Sequence, residues 1–350
     1  MKNFYGSIIV TVLALGFAFF YGGFNAVFVT AILAILEISL SFDNAIVNAR
    51  ILEKMSKAWQ EIFLTVGILI AVVGMRFIFP LIVVSISAQT SPMSALHLAL
   101  EKGNPDIPGT YGYILHAAHP SIAAFGGLFL LMLALSFFFE DLEYHWLKFP
   151  EKMLYSLGRL PLASALISLI VLVLTSEFLA KNAHTVLFSG VLGIITFLIV
   201  DGLGKLMSQH NTLAEVQKGT GTNQTQNSLT KVSGKAAFVL FLYLEVIDAS
   251  FSFDGVIGAF AITADPIIIM LGLGLVGAMF VRSLTVFFVK KGTLNDLIYI
   301  EHGAHWAILS LAVLLLLSIR FEINDVVTGV LGGVLILLSF VSSVLYNRSH

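Results

Sequence analysis

The 350-residue sequence contains no cysteine, which excludes thiolate metal sites, disulfides and thiol redox chemistry. Charge is also scarce: Asp, Glu, Lys and Arg make up 11% of the residues, against about 25% in soluble globular domains. No His-Glu-x-x-His helix occurs, and no Ser nucleophile stands beside an obvious base. The chain is therefore not expected to be an enzyme. The net charge of −2 argues for nothing by itself; the placement of the charges does. No organic cofactor and no nucleic-acid partner is expected.

Apolar residues fill the space that charge leaves. They form 58% of the chain, with a mean hydropathy of +0.95, so the expected fold class is all-α, a polytopic transmembrane helix bundle in a lipid bilayer. Runs long enough for the ~20 helical residues that cross a bilayer number ten, at 5–22, 25–48, 61–87, 117–139, 161–180, 184–207, 235–262, 266–289, 301–319 and 325–346. The first is read as a retained helix, because Tyr21-Gly22-Gly23-Phe24-Asn25 offers no small-x-small cleavage site. With the N-terminus in the cytoplasm, 14 of the 19 Lys and Arg fall inside, and only Lys102, Lys181 and Arg320 fall outside. That asymmetry predicts a multi-pass protein of the cell inner (plasma) membrane with both termini cytoplasmic. The polar stretch 209–233 then reads as a flexible cytoplasmic loop.

Against this background one motif stands out. Glu37-Ile38-Ser39-Leu40-Ser41-Phe42-Asp43 returns 211 residues later as Asp248-Ala249-Ser250-Phe251-Ser252-Phe253-Asp254, inside apolar runs. A carboxylate near the bilayer centre costs at least ~2.5 kcal/mol, so it should face a protein interior, a counter-charge, a cation or a proton. The repeat continues. Gly67 to Arg76 matches Gly272 to Arg282, and Tyr113-Ile114-Leu115-His116-Ala117-Ala118-His119 matches Tyr299-Ile300-Glu301-His302-Gly303-Ala304-His305. Three landmarks in one order indicate a duplication, with repeats at 1–183 and 184–350. The second and seventh spans run in opposite directions, which makes the repeats inverted and suggests alternating access at a midplane site. The offsets shrink mainly because the first copy inserts 89–112, read as an irregular external loop.

On a helix, Glu37, Ser41, Asn44 and Asn48 share one stripe, as do Glu245, Asp248, Ser252 and Gly255, while Asp43 and Asp254 lie off it. Either each helix unwinds at Ser-Phe-Asp, so that both carboxylates reach one ion, or it is continuous and Asp43 and Asp254 face different partners. The acids Glu37, Asp43, Glu245, Asp248 and Asp254, set against Arg76 and Arg282, leave −3 if all are ionised. A divalent cation with one proton would balance that charge; so would neutral carboxyls, and each Arg could instead pair with an acid to hold helices together. The candidate ligands are Glu37, Ser41, Asp43, Asn44, Glu245, Asp248, Ser252 and Asp254, with Arg76 and Arg282 balancing charge. Carboxylate, hydroxyl and amide oxygens form a hard set suited to Mg, Ca or Mn, and of these Mn commonly accepts an imidazole as well. His116, His119, His302 and His305 are read as gates, proton relays or transient metal contacts, or as interfacial caps. Pro120 is expected to open its helix, leaving His116 and His119 in a preceding loop. Phe137 to Phe139, Trp59, Trp146 and Trp306 read as ordinary lipid-facing or interface aromatics.

Leu36 to Asn44, its second copy at Glu245 to Gly255, and the Arg of the helix that follows each resemble the TerC family of integral membrane proteins, within the LysE-type exporter superfamily. The resemblance covers roughly spans two to ten. It implies manganese efflux or membership of a tellurium-resistance complex, with Glu37, Asp43, Asn44, Asp248 and Asp254 as ion-binding residues. The expected function is export of a divalent cation, manganese(II) first, with proton exchange. An exporter of an organic cation or amino acid is the alternative.

Overall fold

The computed structural model describes residues 4–40, 42–67, 69–78, 81–82, 84–85, 89–101, 103, 106–160, 162–218, 232–263, 265–291, 297–323 and 325–349. Helices dominate. In chain order they are α1 (Tyr5–Leu40), α2 (Phe42–Lys54), α3 (Lys57–Ile62), α4 (Pro92–Leu100), α5 (Tyr111–Phe138), α6 (Lys148–Gly158), α7 (Ala163–Phe178), α8 (Ala183–Lys218), α9 (Gly234–Ile262), α10 (Pro266–Ile269), α11 (Ala278–Lys291), α12 (Ile300–Ser318) and α13 (Asp325–Ser349). Three π-helical stretches complete them: Phe63–Gly67 and Ile70–Ile78 after α3, and Met270–Gly277 between α10 and α11. Among the described residues, seven helices are long and apolar enough to span a membrane, or eight if α6 and α7 form one broken span. Phe20 and Phe24 are 90% and 81% exposed, a placement that suits lipid and not water.

Helix α1 is two helices joined at a sharp bend. Gly23 has φ +67° and ψ −157°, a region essentially reserved for glycine. Ser7 hydrogen-bonds Ser283 and the Met279 carbonyl, and Tyr21 reaches Asp265. Beyond the bend, Thr30 lies against Gly272 and Glu37 against Gly277. The first arm therefore runs antiparallel to residues 265–283, and the second returns parallel to them.

The centre of the bundle is α5, buried without interruption from Gly126 to Leu135. A helix that is apolar all round belongs inside. Glycines let its neighbours close in. A Cβ on Gly127 would stand 2.9 Å from Leu316 of α12, and one on Gly193 of α8 would meet the Phe125 backbone. His119 faces Ser318, while Phe137 stacks on His305, so α5 and α12 are antiparallel.

Three expectations need correction. Pro120 lies inside α5, which starts nine residues earlier behind the Thr110 cap, so His116 and His119 are helical. The capping hydroxyl, which accepts from the Tyr113 amide, outweighs the tendency of proline to open a helix. The 89–112 insertion contains α4, capped by Ser91 with Pro92 in its first turn. The expected loop at 209–233 begins later, because helix-favouring residues carry α8 to Lys218; 219–231 lie outside the described residues.

Candidate functional site

Helix α9 runs unbroken from Gly234 to Ile262, so in the second copy the continuous-helix alternative holds and the unwound one does not. Glu245 and Asp248, three residues apart, face the same way and line a cavity of about 30 Å³. Asn48 of α2, Gly67, and Arg282 and Thr285 of α11 complete its polar and close-packed walls. Asn44 Nδ2 donates to Asp248 Oδ1 at 2.5 Å, joining the two acidic motifs directly. Arg282 Nε donates to the Leu64 carbonyl at 2.9 Å. Leu64 sits in the Phe63–Gly67 π-helical turn, where shifted backbone pairing favours such outside partners.

Among the described residues, neither carboxylate oxygen of Glu245 meets a hydrogen-bond donor, and the Asn48 carboxamide oxygen is likewise unsatisfied. Three orphaned oxygens around one small cavity are costly unless a proton or cation occupies it. A cavity needs ~10–15 Å³ to take one water, so this one accepts a water or a bare ion.

Glycine sets the width of the site twice. A Cβ on Gly67 would lie 2.7 Å from Glu245 Oε1, and one on Gly277 would collide with Glu37. Each glycine closes a π-helical stretch. Glu37 is buried, 1% exposed, and packs against Gly277, which precedes Ala278 of the cavity wall in the chain.

Of the ligands expected from sequence, the structure thus gathers Asn44, Glu245 and Asp248 with Arg282, and seats Glu37 against Gly277. Ser41 lies outside the described residues, and so do the side chains of Asp43, Arg76, Ser252 and Asp254. Among the described residues no three His, Asp or Glu side chains form a metal-holding group. Asn48, Gly67 and Gly277 were not singled out as site residues; the i, i+4 spacing from Asn44 was the available signal for the first.

The histidine pairs occupy opposite ends of the α5–α12 pair. His119 meets Ser318 at 3.3 Å, and His116 is exposed. His302 and His305 are buried. His305 Nδ1 donates to the Glu301 carbonyl at 2.8 Å, and its ring stacks on Phe137 at 3.7 Å. His302 Nδ1 donates to Glu151 at 3.1 Å, a partner the sequence gave no sign of. Glu151 also accepts from Trp306 Nε1 at 3.0 Å and from the backbone amides of Trp146 and Leu147 at 3.0 and 3.2 Å. Trp146 Nε1 donates to Ser342, and Phe138 is buried. Phe138 is thus packed inside the protein and not at a lipid or interface position, while Trp146 and Trp306 are half-buried with their indole N–H groups hydrogen-bonded.

Burial opposes ionisation of Glu151, but the hydrogen bonds from His302, Trp306 and the Leu147 amide outweigh it and hold its carboxyl below the usual range. A depressed carboxylate contributes stability above its unfolded pKa of about 4.3 and loses it as pH falls through the folded value. Acidification from pH 6 to pH 3 should therefore lower the thermal unfolding temperature more in the wild type than in Glu151→Gln. That variant should already be about 1–3 kcal/mol less stable at neutral pH.

A second cavity, of about 350 Å³, opens between α2, α5, α8, α9 and α12. Arg50, Lys54, Glu140, Asp201, Glu301 and His305 line it. Arg50 is held by Glu301 at 2.8 Å and by Glu53 at 3.6 Å.

A family model described as "Protein of unknown function (DUF475)" matches residues 42–350. The match begins inside the first acidic motif and takes in both His pairs and the whole second copy. No curated protein and no solved structure matches the chain.

Proposed function

The chain belongs to the DUF475 family, and from that premise we propose that it is a membrane exporter of a divalent cation, manganese(II) first, that uses the Glu245–Asp248 cavity as its substrate site. The observation that carries the reading is the pair of orphaned Glu245 oxygens beside Asp248 and Asn48. Oxygen donors of this kind suit a hard divalent ion. Asp43, Asp254, Ser41, Ser252 and Glu37 are proposed to complete the ligand set during transport, and Arg76 and Arg282 to balance its charge. A proton exchanged for the metal would keep the site near neutrality.

Several features support two inverted repeats and ten spans. The bend at Gly22–Gly23 turns α1 into two opposed arms. The helices holding Arg76 and Arg282 both contain π-helical stretches. A carboxylate of each copy seats on a glycine of the other copy, Glu37 on Gly277 and Glu245 on Gly67. The antiparallel α5–α12 pair puts the two His pairs at opposite ends. Inner-membrane placement with cytoplasmic termini rests on the distribution of Lys and Arg, and the likeness to TerC proteins on the acidic motifs.

The 350 Å³ cavity reaches the ~300–1,000 Å³ range of small-molecule pockets and favours the second reading, export of an organic cation or amino acid. Competition separates the two. If the small cavity is the substrate site, millimolar arginine leaves manganese(II) flux into proteoliposomes unchanged; inhibition by arginine, or arginine flux itself, would favour the organic solute.

A further inference from the structure

Helix α6 (Lys148–Gly158) makes an angle of 100° with α7, a bend that lays it close to the membrane plane if α7 crosses the bilayer. Its three faces have different chemistry. Glu151, Leu154 and Gly158 point inward: Glu151 to His302 and Trp306, Leu154 onto the main apolar core, and Gly158 against Phe139. Phe149, Met153 and Leu157 are exposed, at 83%, 52% and 42%. At about 100° per residue they cluster on the side opposite Glu151. Lys148, Lys152 and Arg159, also exposed, form a row between the inward and apolar faces.

We propose that α6 is an interfacial helix that binds anionic phospholipid headgroups through Lys148, Lys152 and Arg159, with Phe149, Met153 and Leu157 inserted at the acyl boundary. An exposed apolar stripe on a helix held flat beside a spanning helix needs a nonaqueous neighbour. The cationic row at its edge selects the charge of that neighbour. Nothing in this depends on the transported substrate. Because Glu151 ties α6 to His302 of α12, the lipid contact is joined mechanically to the central helix pair.

The absence of native cysteine makes the test direct. Phe149→Cys carrying a bimane fluorophore, in nanodiscs of phosphatidylcholine with and without phosphatidylglycerol, should be quenched by nitroxide lipids and not by aqueous iodide. Binding of spin-labelled phosphatidylglycerol relative to phosphatidylcholine should fall about fivefold or more in Lys148→Gln/Lys152→Gln/Arg159→Gln. It should be unchanged in Lys181→Gln/Arg320→Gln. Iodide quenching at residue 149, or an unaltered lipid preference in the triple variant, would overturn the proposal. The bimane measurement changes no charge and stands even if the triple variant fails to fold.

Discussion

Asp248→Asn is expected to lower manganese(II) flux at least about 100-fold while the protein still inserts and folds. The amide keeps the size of the side chain and offers the Asn44 carboxamide an acceptor in place of the carboxylate oxygen it now bonds. What disappears is a formal charge on the wall of a 30 Å³ cavity, and loss of even an indirect metal partner costs about 10–100-fold. Glu245→Gln should have a comparable effect on flux with the opposite effect on stability. Among the described residues its two oxygens have no donors, so replacing an unsatisfied charge by a neutral amide relieves the protein when neither a cation nor a proton is bound. Unfolding temperature and flux, measured together, would show transport lost in both variants and stability gained in the second alone. Normal flux in both would remove the cavity from the transport path.

The second large effect concerns Arg282. Arg282→Leu removes the positive charge lining the same cavity as Glu245 and Asp248, and leaves the Leu64 carbonyl without its donor. Leaving a buried carbonyl without its donor costs about 1–3 kcal/mol. The loss should be partly reversed by adding Glu245→Gln, because the second change removes one of the charges left uncompensated. A double-mutant cycle on unfolding temperature measures that coupling. A double variant whose stability is the plain sum of the Arg282→Leu loss and the Glu245→Gln gain would mean that Arg282 serves the Leu64 carbonyl alone, and would separate it from the charge balance of the site.

How far the sequence led can be judged residue by residue. The apolar runs were legible because a bilayer demands long helices with few charges. The glycine pair at 22–23 marked a boundary between two runs, and there the chain bends. The contact between the two acidic motifs was also within reach, since buried carboxylates must find partners: Asn44 meets Asp248, and Arg282 joins them. Helical starts were harder. Pro120 looked like an opening residue, yet Thr110 set the start of α5, because a hydroxyl that satisfies a free amide can outweigh a proline tolerated inside a membrane helix. Glu151 was invisible. Nothing in Lys148-Phe149-Pro150-Glu151-Lys152 separates a buried acid from a solvated one; the distinction comes from His302 and Trp306, more than 150 residues away in the chain. Gly67 and Gly277 were hidden for a related reason. A glycine in an apolar helix is common, and only the carboxylate lying against it reveals why a side chain is excluded.

Manganese(II) flux into proteoliposomes of the wild-type protein, measured with and without an imposed pH gradient, is the most direct test of metal export. Saturable uptake that accelerates when the gradient favours proton exchange, and that exceeds flux in protein-free liposomes, is the predicted result. Manganese(II) flux indistinguishable from protein-free liposomes under every gradient would contradict it.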